Sequence, residues 1–94
     1  MIRTLVADDS AIVRAMLCQV LSDSKNFEIT GTAENGKIAL EMARSLKPEL
    51  IIMDINMPIM NGIEATSRIK LSERRRAHLW KLLWRQSRIS LRYR

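Results

Sequence analysis

Leu50-Ile51-Ile52-Met53-Asp54-Ile55-Asn56-Met57-Pro58-Ile59-Met60-Asn61-Gly62 is the stretch whose reading decides the fold. Four apolar residues in a row, Leu50 to Met53, suit a short strand buried on both faces, and a carboxylate, Asp54, ends it. Met57-Pro58 and Asn61-Gly62 supply turn chemistry, and a helix is predicted from about Ile63. The chain opens in the same way. Ile2 to Ala7 is a short apolar run that stops at two acids, Asp8 and Asp9.

Between these two strands the period of the apolar residues changes. Ser10 is a helix N-cap, and Ile12, Val13, Met16, Leu17, Val20 and Leu21 follow at three-and-four spacing, so an amphipathic helix is predicted to end near Ser24. Phe27 to Thr32 alternates apolar and polar residues and reads as a second, more exposed strand. Asn35 caps another helix, which buries Ile38 or Ala39, Met42, Ala43 and Leu46 and closes at Lys47-Pro48. Strands alternating with helices of this length imply βαβ units, a parallel sheet and right-handed crossovers. Ligand sites of such sheets lie outside the carboxyl ends of the strands. Asp8, Asp9 and Asp54 all lie at strand carboxyl ends, so adjacency of the first and third strands brings three carboxylates into one pocket.

Three carboxylates so close repel one another, and they coexist only with a cation between them or with raised pKa values. Mg²⁺ is a hard ion that takes oxygen ligands, and it also shields charge in phosphoryl transfer. An aspartate can itself be the nucleophile and form an acyl phosphate. The residues therefore allow a defined chemistry: Mg²⁺ on Asp8 and/or Asp9, on Asp54 and on a loop carbonyl, with Asp54 attacking a phosphoryl donor.

Leu5-Val6-Ala7-Asp8-Asp9-Ser10, Gly31-Thr32-Ala33-Glu34-Asn35-Gly36 and the stretch Asp54 to Gly62 together resemble the receiver domain of bacterial two-component response regulators. The likeness extends to single-domain chemotaxis-type regulators and to the receiver half of chemotaxis methylesterases. It covers about residues 1–70. The resemblance implies a flavodoxin-like, doubly wound α/β fold, present as three βα repeats. It implies Asp54 as phosphoacceptor, with Asp9, its neighbour Asp8 and the backbone carbonyl of Asn56 as further metal ligands, and Met57, Pro58 and Gly62 as the loop that follows. The partner so implied is a sensor histidine kinase, the cofactor is Mg²⁺, and the domain is a phosphorylation substrate rather than a turnover enzyme, without a methylesterase effector domain. The family also places a Ser or Thr after its fourth strand and a Lys after its fifth. No residue beyond position 70 matches either.

Residues 71–94 break the pattern. The whole chain carries a net charge of +6, but residues 1–70 hold eight basic and nine acidic side chains, a net −1. Residues 71–94 hold eight basic side chains against Glu73 alone, a net +7. The two parts are read as separate units, a partial receiver-like domain over 1–70 and a basic tail over 71–94. Leu79, Trp80, Leu83 and Trp84 form a stripe at helical spacing among Arg74, Arg75, Arg76, Lys81, Arg85 and Arg88, so the tail is expected to be a basic amphipathic helix. Three accounts of it compete: a frameshifted or altered gene end, a helix that docks on the sheet or dimerises, and a helix that binds an anionic membrane or nucleic acid. The last is the weakest, since solvated Arg-rich helices are common and no nucleic-acid motif is present. With only three repeats, the third strand is expected to leave an apolar edge open and the first helix to expose an aliphatic face. A homodimer or a domain-swapped oligomer that covers this edge through the tail is the alternative to a signalling role.

Several classes are set aside at this stage. Cys18 is the only cysteine, which rules out an internal disulfide and a cysteine-built metal site. No apolar run reaches the roughly 18–20 residues of a membrane span, no signal peptide is visible, and a cytoplasmic location is expected. No glycine-rich phosphate loop supports nucleotide binding. His78, the sole histidine, is read as a solvated residue, and Met53, Met57 and Met60 as packing around the site.

Overall fold

In the computed structural model of the chain, residues 1–73, 80–85 and 88–93 are described. The elements run β1 (Ile2–Ala7), α1 (Ala11–Asp23), β2 (Phe27–Ala33), α2 (Gly36–Leu46), β3 (Leu50–Asp54), α3 (Gly62–Glu73), β4 (Trp80–Arg85) and β5 (Arg88–Tyr93). Three βα units therefore stand where the periodicity places them. Each helix starts at a side-chain cap. Ser10 Oγ accepts from the Val13 N–H at 3.3 Å, Asn35 Oδ1 from Ile38 at 2.9 Å and Asn61 Oδ1 from Glu64 at 2.8 Å. Each satisfies an N–H that has no partner inside the helix. Lys47 ends α2 in the left-handed conformation, φ 48°, and Pro48 prevents continuation.

β1 lies between β2 and β3 and pairs with both in parallel. The β1–β2 register slips by one residue between Thr4 and Leu5. The resulting bulge at Thr30 is tied down by its own hydroxyl, which donates to the Thr4 carbonyl at 3.1 Å. Because β1 is central, Thr4, Leu5, Val6 and Ala7 are all buried, whereas β2 is mostly half-exposed. Leu5, Ala7, Ile51 and Met53 face Ala39, Leu40 and Ala43 of α2 and Ala65 and Ile69 of α3, which together form the main core. α1 packs on β1 and β2 apart from that cluster.

The parallel half of the sheet, β2-β1-β3, keeps the flavodoxin-like order, and β5 then β4 complete it as β2-β1-β3-β5-β4. Here the structure corrects the sequence reading. The expected basic C-terminal helix is absent over the described residues: Trp80–Arg85 and Arg88–Tyr93 are two strands of an antiparallel hairpin, and β5 pairs antiparallel with β3. Two facts account for this. Arg88-Ile89-Ser90-Leu91-Arg92-Tyr93 alternates polar and apolar residues with a period of two, and β3 offers a full row of backbone donors and acceptors to any strand beside it. The open β3 edge expected to drive self-association is accordingly occupied by the chain's own β5. His78, Leu79 and Arg74 to Arg76, which the helical reading also used, lie outside the described residues.

The exposed aliphatic face expected on the first helix is present. Ile12, Met16 and Val20 are 73%, 62% and 67% exposed, while Val13, Leu17 and Leu21 on the adjoining face are half-buried. Two glycines let the main chain close around the carboxyl end of the sheet. A Cβ on Gly36 would overlap the carbonyl of Met60, whose oxygen accepts the Gly36 N–H at 2.9 Å. A Cβ on Gly62 would overlap the carbonyl of Asp54, next to the bond from the Gly62 N–H to the Ile55 oxygen at 2.8 Å.

Candidate functional site: an acidic pocket at the strand ends

β1 and β3 stand in parallel with Ala7 beside Met53, so the next residues, Asp8 and Asp54, emerge side by side. Asp9 follows Asp8. One carboxylate oxygen from each of Asp8, Asp9 and Asp54 lies within 4.8 Å of the others. The pocket grades from inside to outside: Asp8 is buried, Asp54 half-buried and Asp9 exposed. Local hydrogen bonds hold Asp8 in place. Its Oδ1 accepts the Ser10 N–H at 2.9 Å, its own N–H donates to the Ala33 oxygen at 3.0 Å, and its carbonyl accepts from Arg14 Nη1 at 2.7 Å. The start of α1 and the end of β2 thus both fix the position of this acid.

The loop after Asp54 closes one side. Met57 is buried in the core and Met60 packs against it, in keeping with their expected packing role. Asn56 and Pro58 are exposed, and Gly62 is the buried first residue of α3. Ile59 has φ 70°, and the Met60 N–H donates to the Pro58 oxygen at 2.7 Å across it, a γ-turn of the rare positive-φ kind. A β-branched residue in this conformation stores about 1–3 kcal/mol of strain, held here by the Gly36–Met60 bond and the packing of Met57.

The donor set suits a hard divalent ion. Mg²⁺ holds its oxygens at about 2.0–2.1 Å in an octahedron, so the three carboxylate oxygens, which lie within 4.8 Å of one another, would draw together around it. At that spacing the negative charges repel one another, and a cation between them would relieve this. In α1, burial pushes the pKa of the Cys18 thiol up, and the positive charge of Arg14 partly opposes this.

One neighbour of the site is absent from the sequence reading. The β3–β5 register sets Arg88 directly opposite Asp54, and Arg85 of β4 opposite Arg88. A helical reading of the tail does not pair Arg88 with β3, and the period-two alternation from Arg88 to Tyr93 is the signal that points to a strand there. Lys70 lies in α3 and Lys81 in β4, neither at the carboxyl end of a parallel strand. Thr66 is buried in α3.

Comparison with known proteins agrees with this architecture. The sequence model of the response regulator receiver domain matches residues 4–79. A protein-glutamate methylesterase/protein-glutamine glutaminase of Methanococcoides burtonii is 51% identical over 69 residues, covering 73% of this chain and 20% of that protein. Its Bacillus subtilis counterpart is 46% identical over 69 residues, covering 73% of this chain and 19% of the relative. The chain therefore spans about a fifth of the length of these curated relatives. Among solved structures, the response regulator domain of Thermotoga maritima CheB is 44% identical, with a TM-score of 0.74 over 76% of this chain and 53% of that one. The CheX-CheY-BeF3-Mg²⁺ complex of Borrelia burgdorferi gives a TM-score of 0.73 at 29% identity, over 78% of this chain and 55% of that one. Strand order, acidic pocket and sequence match converge, and the chain belongs to the response regulator receiver domain family.

Proposed function

We propose that this domain accepts a phosphoryl group on Asp54 from a sensor histidine kinase, with Mg²⁺ held by Asp8, Asp9, Asp54 and the backbone carbonyl of Asn56. The observation that carries the reading is the approach of three carboxylate oxygens to within 4.8 Å at the ends of two adjacent parallel strands. Asp54 is the nucleophile: a carboxylate oxygen bonds to phosphorus, the bond from phosphorus to the donor breaks, and the donor leaves with that electron pair. Asp8 is buried and tied by Ser10 and Arg14, which fixes one ligand, while the exposed Asp9 completes the set. The divalent ion supplies charge neutralisation as phosphoryl oxygens approach the carboxylates. A fold relative whose structure is described as holding BeF3 and Mg²⁺ lends support to this choice of ligands.

Residues 1–70 form the receiver-derived part of the chain on this reading, and residues 71–94 are a basic addition outside the receiver pattern. The site is a switch that is phosphorylated rather than a turnover enzyme, and a kinase partner places it in the cytoplasm. No helix among the described residues is long and apolar enough to cross a membrane.

Acetyl phosphate with Mg²⁺ tests the proposal. The full chain should gain the mass of one phosphoryl group, lose the gain when Mg²⁺ is chelated, and show none as Asp54→Asn. An equal gain on Asp54→Asn, or none on the wild type, overturns it.

A further inference from the structure

We propose that Arg14 is a positioning residue of the acidic pocket: by holding the peptide between Asp8 and Asp9, it aims the exposed Asp9 carboxylate at the Mg²⁺ position. The inference rests on the reading of Asp8, Asp9 and Asp54 as a Mg²⁺ site. It adds a residue that touches neither the ion nor the phosphoryl group and acts through the main chain.

Three observations carry it. First, Asp9 has no side-chain anchor. Its carboxylate is exposed and makes no hydrogen bond among the described residues. Asp8, in contrast, is held through its own N–H by the Ala33 oxygen and through Oδ1 by the Ser10 N–H. The direction of Asp9 is therefore set by its backbone. Second, Arg14 Nη1 donates to the Asp8 carbonyl oxygen at 2.7 Å. That oxygen belongs to the Asp8–Asp9 peptide, and the planarity of the unit carries the nitrogen and Cα of Asp9 with it. One charge-assisted bond thus fixes the direction in which Asp9 leaves the end of β1. Third, the donor is itself held. Arg14 is half-buried in the first turn of α1, and its N–H donates to the oxygen of Ser10, the helix cap, at 2.9 Å. The segment from Asp8 to Arg14 is closed by the Ser10 bond to the Asp8 carboxylate and by the Arg14 bond to the Asp8 carbonyl.

The same molecule contains a matched arginine at the other end of β1. Arg3 lies near the start of that strand, and its guanidinium donates to the Lys47 oxygen at 2.8 Å and to the Leu46 oxygen, where α2 ends. Both arginines bind main-chain carbonyls, but only Arg14 binds one between two candidate metal ligands. Charge and position also predict opposite signs for Arg14. Removing a cation beside the pocket strengthens Mg²⁺ binding by Coulomb's law. Releasing the Asp8–Asp9 peptide weakens it, since groups that orient metal ligands typically contribute about 10–100-fold to affinity.

Calorimetry with Mg²⁺ alone on the full 94-residue chain compares wild type, Arg14→Met, Arg14→Lys and Arg3→Met. Arg14→Met keeps an unbranched stem without charge or donor and should bind Mg²⁺ about 10-fold or more weakly. Arg14→Lys keeps the charge and a donor and should recover part of the affinity. Arg3→Met loses the same charge and the same kind of bond far from the pocket, and should stay within about twofold of wild type. In the metal-free chain, the amide resonance of Asp9 should move in Arg14→Met and stay in place in Arg3→Met. If Arg14→Met does not fold, the shorter, neutral Arg14→Gln takes its place with the same expectations. Unchanged or tighter Mg²⁺ binding by Arg14→Met, an equal loss in Arg3→Met, or an unmoved Asp9 resonance overturns the inference. A wild type that binds no Mg²⁺ refutes the metal reading of the pocket, and the role of Arg14 with it. A wild type that binds Mg²⁺ beside an indistinguishable Arg14→Met refutes only the role of Arg14.

Discussion

Replacing Gly62 by alanine sets two effects of opposite sign against each other. Gly62 is the first residue of α3 and has no positive φ, so an alanine keeps the same backbone and should favour the helix by about 0.5–1 kcal/mol. The added methyl, however, would overlap the Asp54 carbonyl oxygen and stand 3.0 Å from its carbon and 3.1 Å from Ile55 Cα. Carbon atoms in contact sit at about 3.5–4.0 Å, so the main chain must give by about 0.5–1 Å. These neighbours are backbone atoms, and no rotamer change relieves the overlap. Overpacking of this kind costs about 1–3 kcal/mol, and stretching the 2.8 Å bond from the Gly62 N–H to Ile55 removes about 1 kcal/mol more. The net expectation is a loss of about 2–3 kcal/mol. Urea unfolding followed by circular dichroism reads it as a lower midpoint at unchanged slope. The displaced carbonyl belongs to Asp54, so phosphorylation by acetyl phosphate should slow as well, by up to about 100-fold for a 1 Å displacement. A midpoint at or above that of wild type would show that the loop yields freely and that Gly62 does not hold Asp54 in place.

Other expectations follow from particular residues. Asn35→Ala removes the cap of α2 at a buried position and should cost about 1–2 kcal/mol in chemical denaturation; Asn35→Asp, which keeps the accepting oxygen, should restore most of it. Ser90→Pro removes a donor from β5, which lies between β3 and β4, and should cost about 3 kcal/mol or more and promote aggregation measured by light scattering. An unchanged melting temperature and unchanged scattering would show that the hairpin does not cover β3 in solution. Burial raises the pKa of Cys18 above its ordinary 9.0, so between pH 9.0 and the folded value the native state holds a proton that the unfolded chain has lost. Its contribution to stability is thus complete below pH 9.0 and falls as pH rises through the folded pKa. Cys18→Ser should flatten the alkaline limb of a melting-temperature profile.

Much of the site was legible because it rests on local chemistry. The caps Ser10 and Asn35, the stop at Lys47-Pro48 and the acids that end two apolar runs act within a few residues of themselves, whereas Asn61, read only as part of a turn, proves to cap α3 as well. The width of the buried face of α1 was not legible. Ile12 and Val13 fit one helical stripe equally well, and only the extent of the sheet beneath leaves Ile12 exposed and Val13 half-buried. The tail was misread because Trp80, Leu83 and Trp84 satisfy a helical period while Ile89, Leu91 and Tyr93 satisfy a strand period.

The sequence by itself determined three βα units and the placement of Asp8, Asp9 and Asp54 at strand ends, since periodicity, capping and turn chemistry are short-range properties. Tertiary structure alone decided that β1 and β3 are neighbours, which brings those carboxylates within 4.8 Å. It also decided that residues 80–93 are strands, with Arg88 opposite Asp54. Both outcomes depend on backbone hydrogen bonds between residues tens of positions apart. The unpaired edge of β3 exists only once the sheet has formed, and it then selects the strand pattern of the tail over the helical one.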